Sequence, residues 1–155
     1  MTHPFDERLA QLGVTLPGAP TPAANYLPYL VSGKQLWIAG QAAVVDGKHL
    51  YAGRLGAEFG VSEGKAAARV AAINVLAQVK AACGGDWSNL ARCVRICGYL
   101  NATPEFADHP QVLDGASDFL VAAMGEPGKH VRTVMGASSL RSGSILVIDA
   151  VFELR

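Results

Sequence analysis

The sequence predicts an α+β fold in which two helices pack on one face of a mixed β-sheet. Three features predict it: a long helical pattern from about Glu63 to Cys83, a second from His109 or Pro110 to Met124, and a strongly alternating strand from Ser144 to Arg155. Along the chain the elements follow the order helix, strands, long helix, strand, helix, strand, strand. At 155 residues the chain has the size of one domain, which we place at residues 1–155.

Residues 1–25 are predicted to form a short amphipathic helix and a lead-in rich in proline and alanine. Apolar residues recur at helical spacing from Phe5 to Leu12, and Gly13 ends the pattern. Four prolines between Pro17 and Pro28 prevent regular structure in the lead-in.

A β-hairpin is predicted from Tyr29 to Gln41, because two apolar runs flank the turn Ser32-Gly33-Lys34. The turn Asp46-Gly47-Lys48 predicts a second short extended piece near Leu50 to Arg54. These are expected to be the first strands of the sheet in chain order.

The long helix carries signals at both ends. Ser62 is the predicted N-cap, with Val61 before it as a hydrophobic staple, and Gly84-Gly85 supplies a left-handed stop. Its polar residues fall on two stripes, whereas a helix on a protein surface has a single polar stripe that faces solvent. Asn74 lies among apolar neighbours, so we expect it to be buried with a hydrogen-bond partner or to face another subunit.

The strand predicted from Ala91 to Leu100 carries Cys93 and Cys97, and Cys83 is the third cysteine. Their odd number and their spacing fit no metal site. Four residues apart on a strand, Cys93 and Cys97 would share one face at roughly 13 Å, too far for a disulfide. We therefore expect buried free thiols in a reducing compartment.

The last strand has one unbroken apolar face, which is predicted to pack under the helices. Asp149 lies on the other face, where an acid has no structural reason to be unless something pairs with it. Val147 and Val151 flank it, and they predict that another subunit covers this second face.

A positively charged residue lies near the start of the strand that follows the loop Gly125–Gly128. On an extended chain His130, Arg132 and Val134 share one side. Arginine is a fixed cation whose planar donor fork fits a carboxylate or a phosphate, so Arg132 is a candidate anion-binding residue. The alternative interpretation is that Arg132 is a solvated side chain at a strand end, with no ligand. His130 either contributes to such a site or only caps the loop.

The composition excludes several classes of protein. Lys+Arg equals Asp+Glu at 13 each, which argues against binding to nucleic acid or to an anionic membrane. No stretch approaches a membrane span and the N-terminus lacks the apolar core of a signal peptide, so a cytoplasmic protein is expected. Only 17% of the residues are charged, which indicates buried subunit contacts. The histidines lack zinc-site spacing, and no phosphate or dinucleotide loop is present.

Several of these pieces together resemble the Rid (reactive intermediate deaminase) family, also called YjgF or L-PSP endoribonuclease. The resemblance spans about Phe5 to Leu154. More narrowly, the chain is similar to a longer branch of the family that carries an extra N-terminal helix and the sequence GKHxR. The pieces that carry it are Tyr26, Trp37-Ile38-Ala39-Gly40-Gln41, the long helix with Asn74, Asp114-Gly115-Ala116-Ser117 within Phe106 to Leu120, Gly128-Lys129-His130-Val131-Arg132, and Val147 to Val151.

This resemblance implies a chorismate-mutase-like fold and a homotrimer with a central barrel and three clefts between subunits. It implies that Arg132 grips the carboxylate of a 2-imino or enamine acid, and that Asp149, at the position of a family glutamate, positions the attacking water. Tyr26 would close the pocket and the backbone amide of Gly40 would lie along it. It implies no metal or organic cofactor, and the expected partner is a small carboxylate-bearing metabolite.

The sequence departs from the family's deaminases at four positions near these residues. Ala39 replaces a serine, Val134 a cysteine and His130 a proline, and Arg141 replaces the proline of a common Leu-Pro pair. The predicted catalytic residues are Arg132 and Asp149. The predicted substrate-binding residues are Tyr26, Ala39, Gly40, His130, Arg132 and Val134.

Three functions follow from the resemblance. The first is hydrolytic deamination of a small imino or enamine acid. The second is a non-catalytic trimer that binds a small carboxylate and acts as a sensor or through a partner. The third is the ribonuclease activity of the older family name, against which the neutral composition argues.

Overall fold

The computed structural model describes all 155 residues. It has three helices: α1 (Pro4–Gln11), α2 (Val61–Ala82) and α3 (His109–Met124). Its seven strands are β1 (Tyr29–Ser32), β2 (Gln35–Ala42), β3 (Val44–Val45), β4 (Lys48–His49), β5 (Leu90–Asn101), β6 (Val131–Ala137) and β7 (Leu146–Leu154). None of the helices combines the length and the apolarity that crossing a membrane requires.

Five strands form one mixed sheet in the order β1-β2-β7-β5-β6, and β3 with β4 forms a separate small hairpin. Neighbouring strands in the large sheet are antiparallel except β5 and β6, which run parallel. Helices α2 and α3 pack side by side on one face of this sheet, here called the helix face, and α1 packs on α3. The opposite face is called the open face. The predicted α+β class, with two helices on one face of a mixed sheet, is confirmed.

Strand β7 divides its side chains between the two faces as predicted. Those on the helix face are all buried: Leu146, Ile148, Ala150, Phe152 and Leu154. On the open face Val151 is already buried within one chain, so the apolar surface left exposed there lies elsewhere. It includes Leu30, Trp37, Val131 and Met135, which are 44% to 66% exposed. The homotrimer stays a prediction, and these four side chains are among those that it would have to cover.

The start of α2 differs from the predicted one. Gly60 is the N-cap, and its backbone amide donates to the Glu63 carboxylate at 3.2 Å. Val61 and Ser62 therefore lie inside the first turn, and their predicted roles as staple and cap are wrong. The cause is that a glycine cap carries no side chain that would mark it in the sequence.

Asn74 of α2 is buried, at 3% exposed, and has the hydrogen-bond partners that the sequence predicted. Its side-chain nitrogen donates to the carbonyl oxygens of Ala42 at 2.9 Å and Val44 at 3.0 Å. This amide therefore holds the chain at the end of β2 against the helix. The extended piece predicted near Leu50 to Arg54 is wrong, because the strand after the turn is β4, which ends at His49. The φ of Tyr51, 58°, does not fit a strand.

Cys93 and Cys97 lie on opposite faces of the sheet, so the prediction that they share one face is wrong. Cys93 pairs with Phe152 and Cys97 with Asp149, and a β-bulge lies between the two pairs. The extra residue reverses the alternation of side chains between the faces. All three cysteines are free, and burial raises the pKa of the Cys93 thiol to about 12.

Helices α2 and α3 approach each other closely at Gly115. A Cβ atom at this position would clash with the backbone carbonyl oxygen of Lys65 on α2. Only glycine permits this approach, and the approach fixes the position of the neighbouring polar residues of α3.

We expect Gly115→Ala to lower the free energy of unfolding by about 1 to 3 kcal/mol, because the added methyl group forces the helix backbones apart. Gly18→Ala is the matched control, since no atom lies within 4 Å of a Cβ there, and it should change stability by less than about 0.5 kcal/mol. Urea unfolding measures both. Equal unfolding midpoints for the two variants would contradict the role given to Gly115.

Candidate functional site

Arg132 lies on the edge strand β6 and points to the helix face, because its register partner on β5 is the buried Ile96. Its guanidinium makes three contacts with α3. Nη2 lies 2.9 Å from the Asp114 carboxylate and donates to the Pro110 carbonyl at 3.3 Å, and Nη1 donates to the Ser117 hydroxyl at 3.0 Å. A guanidinium has five N–H donors, so two remain for a ligand although its charge is already paired.

His130 fixes the hydroxyl group that Arg132 contacts. Its Nδ1 lies 2.6 Å from the carbonyl oxygen of Gly128, which can only accept, so this nitrogen carries a proton. In the neutral ring Nε2 then accepts from the Ser117 hydroxyl at 3.0 Å. The oxygen of Ser117 is thereby free to accept from Arg132. Both ring nitrogens are engaged within the chain, so His130 positions Arg132 through Ser117.

A β-bulge brings three other predicted residues together. The pairing of β2 with β7 shifts by one residue between Ile38 and Gln41, so that Ala39 and Gly40 face a single residue, Asp149. All three line a cavity of about 420 Å³ on the open face. A side chain at Gly40 would come within 2.7 Å of Val147, so the close approach of the strands requires glycine.

Asp149 has the partner that a carboxylate in mid-strand requires. The Tyr99 hydroxyl donates to its Oδ2 at 2.9 Å, which leaves Oδ1 available. The contact with Cys97, followed by the hydrogen bond with Asp149, raises the pKa of the Tyr99 hydroxyl above its ordinary value. Tyr99 therefore stays protonated and keeps donating to the carboxylate.

Tyr26 lines a different cavity, of about 220 Å³, between the proline-rich lead-in, β2 and α2. Gly40 lines this cavity as well as the one beside Asp149, so the two cavities adjoin at the bulge. The tyrosine is half exposed, at 51%. Val134, in contrast, packs against the core and lies in neither cavity.

The predicted residues thus form two groups that are separate within one chain. Arg132 and Val134 lie on the edge strand β6 and point to the helix face, and His130 lies directly before this strand. Asp149 lies two strands away on the open face, and β2 lies one strand further, at roughly 14 Å from β6. One small ligand cannot contact both groups in the same protomer.

Sequence reasoning missed three residues that act on the predicted ones. Asp114 and Ser117 are three positions apart and so lie on the same side of α3, where both contact Arg132. This spacing in the sequence could have identified Asp114 and Ser117 as a pair. No sequence pattern identifies Tyr99, because its contact with Asp149 depends on the alignment of β5 with β7.

Comparison with known proteins places the chain in a family. The family model described as "YjgF/chorismate mutase-like, putative endoribonuclease" matches residues 6–154. The chain belongs to this family. The resemblance noted from the sequence and the chorismate-mutase-like fold that it implied are therefore both confirmed.

Three known proteins are similar to almost the whole chain. The protein TCP17 of Trypanosoma cruzi is 40% identical over 147 residues, which cover 94% of this chain and 91% of TCP17. A structure described as a "putative endoribonuclease" of Shewanella oneidensis is 39% identical with a TM-score of 0.94, over 98% of this chain and 100% of that one. The protein Atu1372 of Agrobacterium tumefaciens is 38% identical with a TM-score of 0.91, over 97% and 92% of the two chains.

Proposed function

We propose that the protein hydrolyses a small 2-imino or enamine acid in a cleft between two copies of the chain. One copy supplies Arg132, and its neighbour supplies Asp149 with Gly40 and Tyr26. The observation that carries this proposal is the division of the site: the two groups lie on different sides of one sheet, and each keeps unused hydrogen-bonding atoms. Family membership supports the class of ligand, and the exposed apolar residues of the open face support assembly of copies.

Arg132 is suited to hold the carboxylate group of such a substrate. Its side chain is 26% exposed, and Ser117, Asp114 and Pro110 fix its orientation from one side. The two donors that remain, one on Nε and one on Nη1, have no partner in the chain, and a guanidinium positioned in this way loses little entropy when it binds a carboxylate. The arginine is therefore preorganised, at the cost of a competing carboxylate on Asp114.

Asp149 handles the water in the proposed reaction. Its free Oδ1 accepts a proton from a water molecule as the water oxygen adds to the imine carbon. The nitrogen of the resulting carbinolamine takes this proton from Asp149, and the carbon–nitrogen bond breaks as the hydroxyl group gives up its proton to the carboxylate, so that ammonia leaves and a 2-oxo acid remains. Tyr99 keeps the carboxylate oriented through its hydrogen bond to Oδ2.

The test is ammonia release from 2-imino acids that an amino-acid oxidase generates in the assay. Purified protein should accelerate this release above the spontaneous rate, and heat-denatured protein should not. Formation of the 2-oxo acid at the spontaneous rate, over a range of imino acids, would overturn the catalytic proposal.

Carboxylate binding without turnover is the second candidate, and the length of Asp149 favours it. Aspartate is about one methylene shorter than glutamate, and misplacement of a catalytic group by about 1 Å can cost roughly a hundredfold in rate. Binding of 2-oxo acids by a protein that hydrolyses no imine would establish this candidate. For ribonuclease activity, a groove with three cations, Lys34, Arg92 and Lys129, contains no phenylalanine, tyrosine or tryptophan on which successive bases could stack.

A further inference from the structure

The cavity beside Tyr26 contains positively charged and polar groups that the proposed reaction does not use. Arg141 lines it, and this arginine takes part in no ion pair and no side-chain hydrogen bond within the chain. No aspartate or glutamate lines the cavity, so nothing there neutralises the guanidinium. Arg141 thus differs from Arg132, whose charge Asp114 already balances.

His49 provides a second, independent indication of a ligand. It lies on β4, lines the same cavity, and its Nδ1 is buried with no hydrogen-bond partner in the protein. Buried polar atoms are nearly always paired, and leaving one unpaired costs free energy. Nδ1 itself is closed off from the cavity, but the other ring nitrogen, Nε2, also has no partner in the chain and can donate to a carboxylate oxygen in the cavity.

The backbone of the turn that carries the exposed Arg141 is tied to the body of the protein. The 3₁₀ turn Arg141–Gly143 contains two successive left-handed residues, Ser142 with φ of 57° and Gly143 with φ of 67°. The carbonyl oxygen of Gly143 accepts from the Gly53 amide at 2.8 Å, which ties the turn to the body of the protein. A left-handed non-glycine residue such as Ser142 is strained, and strained residues cluster at ligand-binding sites.

We propose that the substrate is a 2-imino dicarboxylic acid of four or five carbons. Its second carboxylate binds Arg141 and His49 in the cavity beside Tyr26, and its first carboxylate binds Arg132 of a neighbouring copy. This inference rests on the proposed function and names its substrate class. The cavity, at about 220 Å³, has room for the end of a small metabolite and not for a large cofactor.

The test compares two stable 2-oxo acids of equal chain length by titration calorimetry. The first, 2-oxoglutarate, has the second carboxylate, and 2-oxopentanoate has a methyl group in its place. The wild-type protein should bind 2-oxoglutarate about tenfold or more tightly, as expected for one added hydrogen-bonded charge. Arg141→Gln should reduce 2-oxoglutarate binding to the level of 2-oxopentanoate and leave 2-oxopentanoate binding unchanged. His49→Leu should reduce the preference in part.

The control is Arg155→Ala, which removes a cation from the exposed end of the chain and should keep the preference. Equal affinity of the wild type for the two acids would overturn the dicarboxylate assignment and leave the proposed function standing. A loss of both affinities in Arg141→Gln would also overturn it, since Arg141 would then hold the carboxylate that the two acids share. Failure of the wild type to bind either acid would overturn the assignment and the proposed function together.

Discussion

Replacing Arg132 with alanine should weaken the binding of small 2-oxo acids by roughly thirtyfold to several thousandfold. This corresponds to about 2 to 5 kcal/mol, the usual loss when one member of a desolvated charged pair is removed. The two free donors of the guanidinium are the groups that would bind the carboxylate, and no other cation lies on this part of α3 and β6. Titration calorimetry with pyruvate measures the loss directly.

Two variants control this prediction. Arg155→Ala removes an exposed arginine that makes no side-chain contact, and it should leave the affinity unchanged. Asp114→Asn removes the carboxylate that competes for the guanidinium, and it should raise the affinity. The melting temperature of Arg132→Ala should fall by no more than a few degrees, because the lost pair with Asp114 is partly exposed. Unchanged affinity in Arg132→Ala would return this residue to a structural role at a strand end.

Replacing Asp149 with asparagine should lower imine hydrolysis by about a hundredfold or more, because the amide cannot take a proton from water. The amide keeps the size of the side chain and can still accept from Tyr99, so the fold should survive. If reach limits the reaction, Asp149→Glu should raise the rate above that of the wild type, because it restores about one methylene of length. Ammonia release at equal protein concentration measures both effects.

Glu153→Gln is the matched control for Asp149, since it removes an exposed carboxylate from the same strand. It should leave the rate unchanged. If Asp149→Asn hydrolyses imines as fast as the wild type, Asp149 is not the proton acceptor. If instead this variant loses its native assembly, the carboxylate is a structural partner of Tyr99.

The elements with strong periodicity could be predicted from the sequence. The helices α2 and α3 and the strand β7 have apolar patterns that specify both the element and the side that is buried. Asn74 was predicted to be paired because it interrupts such a pattern, and the structure confirms it. Where the pattern carried no signal, at the glycine cap of α2, the prediction failed.

The arrangement of the site could not be predicted, because it depends on which strands are neighbours. A bulge exists only relative to a partner strand, so neither the two residues that face Asp149 nor the reversal between Cys93 and Cys97 is visible in one stretch of sequence. Arg132 and Asp149 lie close in sequence, yet β5 separates their strands in the sheet. For the same reason the contact of Arg132 with Asp114 was not foreseen.

The central proposal is that two copies of the chain complete each site, and mixing two defective variants tests it most directly. Arg132→Ala removes the carboxylate ligand from one half. Ala39→Phe fills the cavity beside Asp149 and blocks the other half. Each variant alone should assemble as the wild type does by light scattering and should bind pyruvate much more weakly than the wild type.

Mixed assemblies, formed by unfolding and refolding the two variants together, should regain binding. At some interfaces the intact Arg132 of one variant then faces the open cavity of the other. If each site lay within one chain, every chain in the mixture would still carry a defect. Recovery of pyruvate binding in the mixed assembly, measured by calorimetry, is the result that we predict. Mixed assemblies that bind no more pyruvate than the separate variants would contradict the proposal.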